Sequence, residues 1–134
     1  MGSFANYLED KLLDQMVGKT DFAMPTCYVG LSTADPLDDA SGNAEPVGMA
    51  YARVATAGGD WNASSAGSIS NNQDVTFPEA TGDWGTITHF TLWDAVAAGN
   101  MLAHGSLASS KHIESGEIAK FTGGTPGDLV LTLD

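Results

Sequence analysis

Two rhythms of apolar residues divide this chain, a helical one at its start and a strand-like one through the rest. Phe4, Leu8, Leu12 and Met16 recur every fourth residue, and Tyr7 and Leu13 widen the stripe. That spacing puts them on one face of a helix. Ser3 is placed to cap the first turn and Gly18 to end the last, which predicts a helix over 3–18. Glu9, Asp10, Lys11 and Asp14 fall mostly on its other face. The "GKT" that starts at Gly18 ends like a phosphate loop, but Leu13 stands where that loop needs glycine and the chain is leaving a helix there.

From residue 25 onward, short β-branched and aromatic runs alternate with Gly, Ser, Asn, Asp and Pro. The pattern predicts strands near 26–33, 49–56, 67–70, 73–77, 85–94, 100–107, 116–121 and 128–133. "AAGN" reads as a tight hairpin between the fifth and sixth of these. "ADPLDDASGNAEPVG" is too polar and turn-rich for a sheet. The expected fold is mainly β, an antiparallel β-sandwich or barrel over 25–134 carrying one N-terminal α-helix. The 134 residues fit a single domain, 1–134. No heptad, collagen or β-helix period is present, and "GDW" occurs only twice, so a fibrous shaft is not expected.

The run "TITHFTLWD" poses a question. Thr88, Phe90 and Leu92 point one way along a strand, and Ile87, His89, Thr91 and Trp93 point the other. Both faces carry large apolar groups, whereas a sandwich strand needs only one. The second face is expected to lie under the helix or under a neighbouring subunit. Phe4, Leu8, Leu12, Met16, Ile87, His89 and Trp93 are therefore the candidate oligomer or partner interface.

Charge narrows the choice of partner. Five Lys and Arg stand against 17 Asp and Glu, a net charge of −12. Direct binding to nucleic acid, itself a dense polyanion, is not expected, nor is binding to an anionic membrane surface. No run approaches the ~18 apolar residues of a membrane span. "MGSFANYLEDKLL" carries acids where a secretory signal needs bases, so no signal is expected. Cys27 is the only cysteine and sits in the apolar run "CYVGLS", which suits packing rather than disulfide chemistry.

Reactive constellations are weak. Asp35, Asp38, Asp39 and Glu45 offer oxygen ligands for calcium, but their spacing does not fit the helix-loop-helix calcium loop. His89 and His104 lie on adjacent predicted strands, yet zinc needs a third ligand and none is evident. There is no G-x-S-x-G elbow. Trp61, Trp84 and Trp93 could make a sugar platform, although packing is the commoner use of tryptophan beside Gly-Asp turns. "NAS" at Asn62 matches a glycosylation sequon that a protein kept inside the cell would not use. The expectation is no enzyme, no metal and no cofactor. Two other readings are a carbohydrate-binding module using the tryptophans and a small hydrolase using His89 with a carboxylate.

The segments "PTCYVGLSTADP", "YARVATAGGDWNAS", "ISNNQDVTFPEATGDWGTITHFTLWDA", "GNMLAHGSLASSKHIESGE" and "LVLTLD", following a short helix, resemble a family of small tailed-phage virion proteins. Members often carry the label phage tail fibre protein. The resemblance covers nearly the whole chain and implies a structural virion protein made in the host cytoplasm. A chain with neither the length nor the repeat of a shaft suits a decoration (cement) protein on the capsid exterior. The resemblance then implies a homo-oligomer, most often a trimer, bound to the major capsid protein. The alternative is a small component of the tail tip or tail fibre, contacting tail proteins or a host glycan.

Overall fold

The strand-like rhythm folds as it reads. The structure, a computed structural model, describes residues 2–133 and is mainly β with one helix. The elements are β1 (Gly2–Phe4), α1 (Asn6–Met16), β2 (Cys27–Ser32), β3 (Val54–Thr56), β4 (Ser68–Ser70), β5 (Val75–Thr76), β6 (Gly85–Trp93), β7 (Met101–Ile113), β8 (Lys120–Phe121) and β9 (Val130–Thr132). Seven strands form one curled sheet in the order β3-β2-β6-β7-β1-β9-β4, and β5 pairs with β8 in a separate ribbon. The pairings are antiparallel except β1 with β9, so the sheet is mixed.

The curl closes on itself through irregular chain. Beyond β3, Trp61 bridges Asn71, the Asn62 N–H donates to Ser70 O at 2.8 Å, and Ser65 bridges Ser68. These contacts cover the outer edge of β4, which would otherwise expose unpaired backbone groups. Trp61 links the two ends of the sheet into a barrel-like wall.

Residues 2–4 form a strand instead of the first turn of the helix. The cause is a glycine pair. Gly2 lies opposite Gly105, and the Phe90 ring rests on both. A Cβ at Gly2 would stand 2.6 Å from His104 O and 2.8 Å from the Phe90 ring, and one at Gly105 would meet Gly2 at 2.6 Å. Only glycine lets the backbones and the ring approach this closely. Phe4 therefore belongs to β1, and Ala5, not Ser3, precedes the helix.

The β6–β7 pairing explains the doubled face. Ile87 lies opposite Lys111, but His89 lies opposite Ser106, so the four residues from Leu107 to Ser110 stand against Thr88 alone. Such a bulge breaks the ladder and re-aims side chains on either side of it. Ile87 and Phe90, an odd number of positions apart, thus reach the same core, with Val29, Leu31, Leu92, Phe121, Leu129 and Leu131. A chain of aromatic contacts crosses it from Tyr51 to Phe77, Phe121 and Phe90, at 6.1–6.3 Å between ring centres.

Three further expectations shift. Only 54–56 of the strand expected over 49–56 pair with β2, because Met49 and Ala50 adopt left-handed backbone angles. β7 continues to Ile113 instead of ending near 107. The hairpin after β6 is a wider loop, closed by Asp94 accepting from the Asn100 N–H at 2.7 Å and from its Nδ2 at 3.0 Å.

Candidate functional site

On the outer face of the sheet, Tyr28, Trp93 and Met101 stand in register, and Ala5 and Ala40 pack against them. The chain covers this face itself. The loop after β2 folds back over it, held by the Asn6 N–H donating to Asp38 O at 2.9 Å and by the Thr33 N–H donating to Ala44 O at 3.0 Å. The Arg53 guanidinium lies 3.9 Å from the centre of the Trp93 ring. Stacking an arginine on a buried indole is favourable once both are out of water.

Arg53 is the hub of that cover. Its Nε and Nη2 donate to the two oxygens of Glu45, and its Nη1 donates to Ala95 O at 2.9 Å and Ala98 O at 2.8 Å. Tyr51 Oη donates to Glu45 at 2.6 Å and accepts from the Leu31 N–H at 2.9 Å. Burial opposes the Glu45 charge, but hydrogen bonds from Arg53 and Tyr51 and the arginine's own charge outweigh it, so its pKa lies below the ordinary 4.5. Burial first, and donation to Glu45 second, push the Tyr51 hydroxyl well above its usual range. This pair ties the acidic loop to the hairpin after β6.

Arg53 and Tyr51 carry little sequence signal. The one available is that the chain's only arginine falls inside an apolar strand-like run, "YARVAT", in a protein very poor in bases.

The residues expected at an interface separate. Ile87, in the core, and Trp93, under the loop cover on the outer face, are 2% and 6% exposed, so neither offers a free surface. Leu8 is buried, while Phe4 and Leu12 are half-buried against the same core. Met16 is open, at 75% exposure, as is Leu13 at the stripe's edge, at 56%. His89 is half-buried, with Nδ1 2.8 Å from Thr88 Oγ1.

His89 and His104 do share a face. With Ser3, Asp35, Ser106 and Thr132 they line an open polar hollow of about 350 Å³. His104 Nε2–H donates to Asp38 at 2.7 Å, which anchors the acidic loop. The remaining loop acids serve turns: Asp35 accepts from the Leu37 N–H at 3.0 Å and Asp39 from the Ser41 N–H at 2.9 Å. Hydrogen bonds from Ser41 hold the exposed Asp39 carboxyl below its usual range. Among the described residues no three of His, Cys, Asp and Glu converge on a point where a metal ion could sit.

The other candidates are engaged in structure. Trp84 is buried and donates Nε1–H to Met49 O at 2.9 Å; half-buried Trp61 donates to Thr56 Oγ1 at 3.1 Å. With Trp84 buried and Trp93 covered by Arg53 on the outer face, the three indoles form no common platform. Burial, partly offset by a hydrogen bond with Thr56, pushes the Cys27 thiol up to about 11. A thiol held protonated is a poor nucleophile. No helix among the described residues is long and apolar enough to cross a membrane.

Comparison with known proteins places this architecture. No curated protein matches the chain. The family described as podophage GP4 fiber I protein gp80 matches residues 3–127, which spans β1 through the turn before β9. With that match over nearly its whole length, the chain belongs to the podophage GP4 fiber I protein gp80 family and is a structural protein of the bacteriophage virion.

Proposed function

We propose that the chain is a non-catalytic component of the podophage tail fibre apparatus and acts by binding neighbouring virion proteins. The observation that carries this reading is the fibre-family match over residues 3–127. The geometry supports it. Arg53, Glu45, Tyr51, His104 and Asp38 are all spent on fastening loops to the barrel. A rigid wall with fastened loops suits a part that transmits load through contacts.

A capsid decoration role is the second reading. A short, acidic barrel with neither shaft nor repeat favours it, since such a body can cover a junction between capsid subunits. Gold-labelled antibody on intact particles tests both. Label on the tail supports the fibre reading, and label distributed over the head replaces it with decoration. Particles assembled without the protein give a second readout. Normal heads with defective tails support the fibre reading, whereas intact tails on heat-fragile heads overturn it.

A further inference from the structure

Two of the chain's four lysines line one groove. Between the outer arm of β7 and β8 lies a hollow of about 260 Å³ with Ile87, Leu107 and Ile113 in its walls, Ile118 56% exposed at its mouth, and Lys111 and Lys120 on its rim. Each lysine reaches one carboxylate of its own chain, Glu117 at 3.5 Å and Asp74 at 3.6 Å, in exposed pairs of the kind that contribute little. An ammonium has three donors, so each keeps capacity for a further acceptor. The groove suits an apolar segment bearing carboxylates.

The same molecule presents that segment at its other end. Leu13, Met16 and Val17, at the C-terminal end of α1, are 56%, 75% and 65% exposed. They share one helix face, and Glu9 and Asp10 lie on it one turn earlier. The last turn holds no base, and Lys11 leans over the Tyr7 ring at 5.5 Å. β1 and α1 join β7 near Ala103, whereas the groove lies towards Ile113, where β7 meets Gly85. The two surfaces therefore sit towards opposite ends of the longest strand.

We propose that the exposed end of α1 in one copy seats in the Lys111–Lys120 groove of a second copy. Leu13, Met16 and Val17 enter the apolar hollow, and Glu9 and Asp10 meet the two lysines. Charge complementarity selects this occupant: a chain of net charge −12 with few bases sets two of them beside the groove that its own acidic, apolar helix end would fill. The contact joins unlike surfaces, so it is heterologous and builds either a ring or a head-to-tail filament. A filament of stacked copies would give a fibre without any repeat inside the chain. The contact does not depend on where in the virion the protein resides.

Sedimentation velocity on the full chain at micromolar concentration tests this by charge exchange. Wild type should associate. The variant K111E/K120E and the variant E9K/D10K should each sediment as monomers with unchanged circular dichroism. An equimolar mixture of the two should associate again, because each groove then meets a helix of opposite charge. Ile118→Ser, which removes apolar rim without changing charge, should weaken wild-type association about tenfold or more. A monomeric wild type, a K111E/K120E chain that assembles like wild type, or a mixture that stays monomeric would overturn the proposal.

Discussion

Arg53 shows how one side chain joins three parts of the molecule. It pairs with Glu45 of the acidic loop, caps two carbonyls of the hairpin after β6, and covers Trp93. Removing either member of a buried pair leaves the other charge uncompensated, which costs about 3 kcal/mol or more. Glu45→Gln should therefore lower stability at neutral pH by about that amount. The pH dependence has a definite sign. A carboxyl whose folded pKa lies below its unfolded value adds stability that is complete above the unfolded value and is lost as the pH falls through the folded one. Glu45 has an ordinary value of 4.5 and is depressed in the fold. The gap between wild type and Glu45→Gln in chemical denaturation should be full near neutrality and close as the pH drops below 4.5. A gap that stayed constant down to strongly acid pH would mean that Glu45 stabilises by shape alone. Beyond the lone arginine inside an apolar run, little of this was legible beforehand, because a buried arginine and an exposed one look alike in a list of residues.

Elements were more readable than residues. Alternation located β2, β4, β6 and β9 to within a few residues, and four-residue spacing located α1. Local patterns do not record long-range backbone geometry, and the misplaced features are of that kind. The bulge opposite Thr88 depends on β7 carrying extra residues, which no inspection of β6 reveals. β1 depends on Gly2 meeting Gly105 across more than a hundred residues of chain. The burial of Ile87 and Trp93 within the chain was hidden for the same reason, since the cover over them comes from the bulge, the acidic loop and Arg53. Helix α1 makes the distinction measurable. Leu8 faces the core and Met16 faces solvent. In the dissociated chain, Leu8→Ala should cost about 2–4 kcal/mol by leaving a cavity, while Met16→Ala should change stability by no more than about 0.5 kcal/mol. Equal losses at the two positions in denaturant titrations would show that the helix packs in a different rotation.

At the scale of the whole molecule, charge balance decides how the barrel responds to its solvent. The described exposed pairs join Lys111 to Glu117, His112 to Asp83 and Lys120 to Asp74. Each is the kind of contact worth between zero and about 1 kcal/mol. Against them stands an excess of 12 negative charges on a 13.8 kDa body, whose mutual repulsion disfavours the compact state. Salt screens both effects, since the Debye length falls from about 10 Å at 0.1 M to about 3 Å at 1 M. The repulsion is the larger sum and acts over longer distances, so screening should remove more destabilisation than stabilisation. The buried Arg53–Glu45 pair is shielded from added ions and should hardly change. Raising sodium chloride from low concentration to about 0.5 M should therefore raise the melting temperature, by a few degrees at the scale of about 1 kcal/mol. Tryptophan fluorescence and far-ultraviolet circular dichroism should melt together, because Trp84 and Trp93 are buried in the wall whose backbone the dichroism reports. A falling midpoint would mean that the three exposed pairs outweigh the unbalanced acids, and separated transitions would mean that the barrel wall does not unfold as one unit.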